Sequence, residues 1–383
     1  MGGVEKLILT LSEQLHNLGY AHFVLCFRDT FGLAAQAHWP LTIRELHPAR
    51  NLVAESWSLA RHLRTMKGGI LGKILAFDMK SAVYCSLFPI PPYILHVDDP
   101  PSLLARDISK QAWSARNRWP AFRHLAQSGF LRTARAESVY RLIWRGMKKA
   151  RRVVVTTKRS GKELESLYRI NTELIRLGIK PAEARMTTNA ESCLGTSQPL
   201  RFLSVSRLES NKRVDWILKA MTLWESAASS NGNVADWELD IVGEGSQRES
   251  LETMSRKLVL DRKVKFHGFV SEERLMALYK SATVFIMPAV QGYGIPALEA
   301  LAQHIPVVLH EDSGVSEILV GNCWTEVVRG EAEGLALGIS HMVNRLRDGK
   351  LPHSSLPFVP TEKEWVQNIS NLCEWADFDQ MTG

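Results

Sequence analysis

Two stretches in the second half of the chain hold residues that could manage a negatively charged leaving group. The first runs Ser206-Arg207-Leu208-Glu209-Ser210-Asn211-Lys212-Arg213-Val214-Asp215. Arg207 and Lys212 would stand at the carboxyl end of a strand and beside the next helix, where two cations can neutralise a diphosphate. A solvated turn also contains such pairs, but that reading leaves the strand-end placement unexplained. The second runs Pro288-Ala289-Val290-Gln291-Gly292-Tyr293-Gly294-Ile295-Pro296-Ala297-Leu298-Glu299-Ala300. Gly292 and Gly294 allow close approach of the backbone to a ligand, Pro296 fits the first position of a helix, and a helix N-terminus offers N–H groups to an anion. Glu299 would sit early in that helix, where its carboxylate can accept hydrogen bonds from two ribose hydroxyls. An ordinary strand-turn-helix with a capping carboxylate accounts for the glycines alone, and less well for the whole constellation.

The elements that must position these residues alternate regularly. Strand-like Phe202 to Ser206, Glu238 to Val242, Val264 to Phe266, Thr283 to Met287 and Pro306 to Leu309 are separated by helical-period Val214 to Trp224, Gln247 to Leu258, Glu272 to Lys280 and Pro296 to Gln303. A βα repeat of this kind predicts a parallel sheet covered by helices, with ligands beyond the carboxyl ends of its strands, hence in the loops after Ser206, Val242, Phe266 and Met287. The first half alternates too, with strands at Phe23 to Phe27, Lys73 to Phe77, Tyr93 to Val97 and Arg152 to Thr156 and helices at Leu52 to Thr65 and Glu137 to Lys149. It opens on a helix, Glu5 to Leu18, with no strand before it, whereas a doubly wound domain normally begins with its central strand. Either the start lies upstream, or the domain manages without that strand. The polar, aperiodic segment up to Pro199 reads as a linker. The expected division is a first Rossmann-like domain at 1–180, a linker at 181–198, a second Rossmann-like domain at 199–355, and a helix and tail at 356–383.

At 383 residues with 45% hydrophobic composition, the chain has enough apolar material for two cores. The five cysteines, Cys26, Cys85, Cys193, Cys323 and Cys373, are scattered without C-x-x-C spacing, which points to neither a disulfide framework nor a zinc site and suits a reducing cytoplasm. No run approaches the ~20 apolar residues that span a bilayer, and the first residues lack the pattern of an export signal, so neither export nor membrane spanning is predicted. Net charge is +7, but residues 1–180 carry 28 Lys and Arg against 13 Asp and Glu. A basic half can attract nucleic acid, anionic lipid or phosphorylated acceptors, or can be a generally basic solvated surface.

Residues 199 to 345 resemble the donor-binding domain of the retaining glycosyltransferases of family 4, which have the GT-B fold: two Rossmann-like domains facing across a cleft. The resemblance rests on Arg207 and Lys212 after the first strand, Val242-Gly243-Glu244-Gly245, Val264-Lys265-Phe266-His267-Gly268, Tyr279-Lys280-Ser281-Ala282, and the spacing of Gln291 from Glu299. It implies that Arg207 and Lys212 bind the donor diphosphate and that Glu299 contacts the ribose. By the same resemblance Gln291 and the backbone of Gly292, Tyr293, Gly294 and Ile295 hold the transferred sugar, with Gly268 and Phe269 also in contact with the donor. The family has Glu where this chain has Gln291; the amide keeps the size and one acceptor but lacks the negative charge. His304 stands where a Gly often ends the helix in the left-handed conformation. More weakly, Gly2-Gly3-Val4-Glu5-Lys6 resembles the family's opening glycine loop, which would put Gly3 by the donor and the family's first strand before Met1. His96 matches a His beside the reacting sugar, although a strand-end His on a satisfied turn would look the same. Leu174 to Lys180 resembles the strand and turn closing the first domain, with Lys180 in place of an Asp.

The implied reaction is transfer of a hexosyl unit from a nucleoside diphosphate sugar to a hydroxyl of a glycan or lipid-linked acceptor, with retention and without a metal or other cofactor. The resemblance also implies that the helix Lys363 to Trp375 crosses back to the first domain, and that Gly3 and His96 complete the site on closure. Two other readings remain: a catalytically silent sugar-nucleotide-binding or partner-binding subunit, and a GT-B sugar-nucleotide epimerase. Asp377-Phe378-Asp379, a D-x-D, reads as a frayed tail; Gly243-Glu244-Gly245 is too short for a dinucleotide fingerprint, and no phosphate-binding G-x-x-x-x-G-K-[ST] occurs. His267 and His310 read as structural. The segment Trp113 to Arg152 interleaves Arg and Lys with Trp113, Trp119, Phe122, Phe130 and Trp144, a pattern for single-stranded nucleic acid, for a membrane surface, or for buried aromatics with solvated charges behind them. The resemblance favours peripheral contact with an anionic membrane over nucleic acid, and so a place at the inner face of the membrane.

Overall fold

The computed structural model describes residues 3–46, 48, 51–66, 73–102, 129–180, 199–230, 236–351 and 356–375. The chain divides into two compact units, Met1–Gly178 with Pro360–Gly383, and Ile179–Val359.

The first unit opens on α1 (Gly3–Asn17) and continues through β1 (Val24–Cys26), α2 (Leu33–Gln36), β2 (Ile43–Glu45), α3 (Leu52–Thr65), β3 (Ile74–Phe77), α4 (Asp78–Leu87), β4 (Tyr93–Val97), α5 (Gly129–Lys149), β5 (Arg152–Val155), α6 (Lys158–Tyr168) and β6 (Glu173–Leu174). All its strands are parallel, in two separate pieces: β1 with β2, and β3-β4-β5-β6. In a doubly wound sheet a central strand joins the two halves, and among the described residues no strand pairs with both pieces. The apolar run of β4 is buried at every position, as a strand covered on both faces must be, while β3 is half-buried throughout. Around β4 lie Met79 and Ala82 of α4, Ile143 and Met147 of α5, and Leu164 of α6. Gly146 lets α5 meet α4 backbone to backbone, since a Cβ there would come 2.0 Å from the Ala82 carbonyl oxygen.

The last helix of the chain (Glu362–Leu372, α13 below) belongs to this unit. Its start is a capping box in which Thr361 and Glu364 satisfy each other's backbone N–H groups. It is tied to α1 through Thr10 Oγ1, which donates to Glu362 Oε1 at 3.4 Å. Gly178 fits against the Thr361 carbonyl, where a Cβ would stand 2.0 Å from its oxygen.

The second unit comprises β7 (Leu200–Val205), a 3-10 turn (Ser210–Lys212), α7 (Val214–Ser230), β8 (Trp237–Val242), α8 (Arg248–Lys257), β9 (Val264–Gly268), α9 (Glu272–Ser281), β10 (Val284–Met287), α10 (Ile295–Ala302), β11 (Val307–His310), α11 (Ser316–Leu319), β12 (Thr325–Val328) and α12 (Ala332–Arg347). Its six parallel strands run β12-β11-β10-β7-β8-β9. The order reverses between β7 and β10, which pair directly, Val284 opposite Phe202. This is the topological switch point of a doubly wound sheet, where the loops leaving the two strands diverge and open a crevice. Beneath it Phe202, Trp224 and Trp237 pack edge to face, with ring centroids 5.4 to 6.4 Å apart, in a core that also takes Ile217 and Met221 of α7 and Ile339 and Met342 of α12.

Candidate functional site

The loops leaving β7 and β10 are laced together at the switch point. Val290 N–H donates to the Asn211 carbonyl at 2.8 Å, and Asn211 Nδ2 donates back to the Val290 carbonyl at 3.1 Å. Beside this pair Lys212 Nζ donates to Gln291 Oε1 at 2.7 Å. A lysine has only donors, so it meets the amide oxygen and thereby orients the amide. The Gln291 Nε2 then faces Met287 Sδ at 2.9 Å and Ser313 Oγ at 3.4 Å. Lys212 is therefore aimed at the glycine turn, and Gln291 is its neutral acceptor. Arg207 follows β7 on the same strand end with an exposed side chain.

The glycines of the second stretch are explained by space. Gly294 has φ 125° and caps α10; a Cβ there would lie 2.8 Å from Gln291 Nε2, 2.9 Å from Ser313 Oγ and 3.0 Å from Met287 Cε. Only glycine fits both the backbone and the packing. Helix α10 begins at Ile295, so Pro296 is its second residue rather than its first. The loop after β11 supports the turn, with Gly314 N–H donating to the Gln291 carbonyl at 3.2 Å and Val315 N–H to the Tyr293 carbonyl at 2.9 Å. Glu299 is half-buried and accepts from the Tyr279 hydroxyl at 3.2 Å. Burial, and then the charge of Glu299, push the Tyr279 phenol well above its ordinary pKa, so it stays a neutral donor that fixes the carboxylate. His304 has φ 57°, the left-handed conformation expected there, with its ring edge-on to Trp324.

The loop after β8 braces Arg207 from behind. Gly243 has φ 131°, and a Cβ would stand 1.9 Å from the Ser206 carbonyl oxygen; one on Gly245 would stand 2.4 Å from that of Leu208. Leu208 N–H donates to the Glu244 carbonyl at 2.8 Å, and Glu209 accepts from Ser246 Oγ at 2.8 Å. Gly268, at φ 70°, sits against the Glu244 and Arg248 ion pair, and Phe269 next to it is 73% exposed.

Sequence reasoning missed Arg213. It has φ 53°, a conformation that costs a non-glycine residue roughly 1 kcal/mol or more. Its guanidinium lies 3.4 Å from the Pro288 carbonyl, 3.1 Å from His310 Nδ1 and 2.8 Å from Asp312 Oδ2, and stacks over Trp216 at 4.1 Å. Nothing in the order of residue types signals this, because the three partners come together only in the folded sheet. His310 reads as structural from the sequence, and it is held on both sides: Nδ1 accepts from Asp312 N–H at 3.1 Å, and Nε2 lies 3.1 Å from the Gly330 carbonyl and so carries the proton. His267 likewise pairs with buried Asp240 at 2.6 Å.

Gly3 and His96 belong to the first unit. Gly3 is the first residue of α1. His96 is fully buried in β4, between Phe77 and Trp365, with Nδ1 3.1 Å from Asp98 Oδ1. That approach lacks hydrogen-bond geometry, so among the described residues both ring nitrogens are buried without a hydrogen-bond partner; the satisfied turn is not what the structure shows. Of the basic aromatic segment, Trp144 is 43% exposed beside Arg141 and Arg145, and Trp113, Trp119 and Phe122 lie outside the described residues, as do Gly2, the linker 181–198 and Asp377 to Asp379. No helix of the described residues is long and apolar enough to cross a membrane.

Parallel, helix-covered strands in both units, with a laced switch point in the second, define the class: a GT-B protein. The crystal structure of Anabaena HepE in complex with UDP superposes with a TM-score of 0.64 over 100% of this chain and 96% of that one, at 16% identity, which shows a common fold. Residues 191–344 match the family Glycosyl transferases group 1. An uncharacterized glycosyltransferase of Methanocaldococcus jannaschii is 28% identical over 206 residues, 50% of each chain. The GDP-mannose-dependent alpha-(1-6)-phosphatidylinositol dimannoside mannosyltransferase of Mycobacterium tuberculosis is 29% identical over 175 residues, 44% of this chain and 43% of that one. The chain spans about half the length, or less, of the curated relatives it matches.

Proposed function

We propose that this chain transfers a hexosyl unit from a nucleoside diphosphate sugar to a hydroxyl acceptor, with retention at the anomeric carbon and without a metal. The observation that carries the proposal is the 2.7 Å bond from Lys212 to Gln291 at the switch point, which sets a cation beside the glycine-led start of α10. An ammonium beside a helix N-terminus suits a diphosphate. Lys212 and Arg207 stabilise the departing diphosphate, taking the part a metal plays elsewhere. Glu299, fixed by Tyr279, accepts from the ribose hydroxyls. Gln291 and the backbone from Gly292 to Ile295 hold the sugar, with Gly268 and Phe269 at the edge of the donor. The imidazole of His96, buried beside Asp98 and without a hydrogen-bond partner among the described residues, supports a role in the reaction, because such a group is costly to keep without one. Gly3 is proposed as a backbone contact to the donor.

The relatives support a sugar nucleotide as donor, since HepE was crystallised with UDP and the mycobacterial enzyme is named for GDP-mannose. That enzyme is also named for phosphatidylinositol dimannoside, which supports a lipid-linked acceptor and peripheral contact with an anionic membrane at its inner face, for which exposed Trp57 with Arg61 against its ring, and exposed Trp144, offer anchors. The test is calorimetric binding of UDP, GDP and ADP, followed by slow hydrolysis of the matching sugar donors in the presence of EDTA. Release of nucleoside diphosphate that falls about a hundredfold in Lys212→Ala is the expected result. Tight nucleotide binding without turnover of any donor would instead identify a binding subunit, and a changed sugar without an acceptor would identify an epimerase.

A further inference from the structure

We infer that Arg213 is the positioning residue of the donor site: it clamps the loop carrying Lys212 onto the loops carrying Gln291 and Ser313, with the unprotonated Nδ1 of His310 holding its guanidinium. The inference rests on the reading of that site as a donor site. Three facts carry it. Arg213 occupies a left-handed conformation at φ 53° that a glycine would adopt without strain, so the side chain and not the backbone accounts for an arginine there. Its guanidinium reaches two other segments, touching the Pro288 carbonyl at 3.4 Å after β10, and His310 Nδ1 at 3.1 Å and Asp312 Oδ2 at 2.8 Å at the end of β11. And it follows Lys212 directly, so fixing the guanidinium fixes the turn from which Lys212 reaches Gln291 three residues beyond Pro288.

The clamp is closed on its other side by Trp216, which lies under the guanidinium and edge-on to His310, with centroids 5.7 Å apart. The groups facing His310 are Arg213 from the turn before α7, Asp312 and Glu311 from the loop after β11, and the Gly330 carbonyl. Its Nδ1 already accepts from Asp312 N–H and faces Arg213, so a proton there would set a second cation against the guanidinium. Burial first, with Arg213 assisting, lowers the imidazole pKa against the opposing pull of Asp312, Gly330 and Glu311. The closed clamp is therefore the neutral-pH state, and acid opens it.

Hydrogen exchange tests this without a substrate, through the amides of Val290, bonded to Asn211, and Gly314, bonded to Gln291. Arg213→Gly is expected to speed exchange at both by about tenfold or more while strand β8 is unchanged. Lowering the pH from about 7.5 to about 5 is expected to do the same in the wild type, after correction for intrinsic rates, but not in His310→Asn, which keeps an acceptor oxygen that does not titrate. In donor hydrolysis Arg213→Gly should lower kcat about tenfold with KM changed less than about threefold, and should add nothing in a Lys212→Ala background. Unchanged exchange in Arg213→Gly, or acid loosening that persists in His310→Asn, would overturn the inference while leaving nucleotide binding intact. Should UDP, GDP and ADP all fail to bind the wild type, the donor-site reading falls first and the positioning role with it.

Discussion

Lys212 and Gln291 form a cation and a neutral acceptor held 2.7 Å apart, and the chemistry proposed for the site depends on the cation. Replacing Lys212 with Ala is expected to reduce donor hydrolysis by about a hundredfold, the scale on which a single preorganised electrostatic group is felt. Steady-state release of nucleoside diphosphate measures it. Gly294 is the second sensitive position at this scale. An alanine there would place its Cβ 2.8 Å from Gln291 Nε2 on a backbone at φ 125°. Gly294→Ala is therefore expected to cost about 1 to 3 kcal/mol in urea unfolding, and to weaken nucleotide binding because the turn must move to admit the methyl. Both residues were legible as candidates from their types and spacing. The orientation of the Gln291 amide was not, because it is set by Lys212, Met287 and Ser313 together.

Elements place these residues by how strands end and what the next loop leans on. The loop after β7 is backed by the glycine turn after β8, where a Cβ on Gly243 would come 1.9 Å from the Ser206 carbonyl oxygen. Gly243→Ala should shift the backbone that presents Arg207, reducing donor turnover more than it reduces the thermal midpoint; kinetics and thermal melts on one preparation compare the two. The alternation of apolar strands and amphipathic helices marked most of these elements to within a residue or two, since a period of two or of 3.6 survives in any local window. Short elements such as β2 and α11 left too few residues for a period to register, and the longer helices α4, α6 and α12 were also not marked. His310 adds a pH dependence. Its folded pKa lies below the ordinary value, so below about pH 6.5 the unfolded chain binds the extra proton first, and stability present above that pH is lost as the pH falls. Acid unfolding monitored by circular dichroism should therefore show a shallower slope between about pH 7 and about 5 in His310→Asn than in the wild type.

At the scale of the whole molecule, positive charge is concentrated in residues 1–180, and 19 Lys and Arg against 27 Asp and Glu leave the remainder acidic. If that charge and the exposed Trp57 and Trp144 meet an anionic membrane, the chain should sediment with phosphatidylglycerol vesicles and not with phosphatidylcholine vesicles. The association should be lost as salt rises from about 0.05 to about 0.5 M, because screening shortens the reach of surface charge. Persistence at high salt would point to apolar anchoring in place of charge, and equal binding to both vesicle types would remove the electrostatic argument.

Taken by itself, the amino-acid order determined the α/β class, the strand ends that are candidate ligand sites, and the residue types at those ends, because hydrophobic period and glycine placement are local properties. Tertiary structure alone decided that β7 and β10 are neighbours, so that Lys212 and Gln291, 79 positions apart, share a hydrogen bond. It also decided that Arg213 collects partners from two other loops and that His96 is buried without a hydrogen-bond partner among the described residues. These depend on which strands pair and which loops then meet above them, and strand order in a parallel sheet is set by packing across the whole unit.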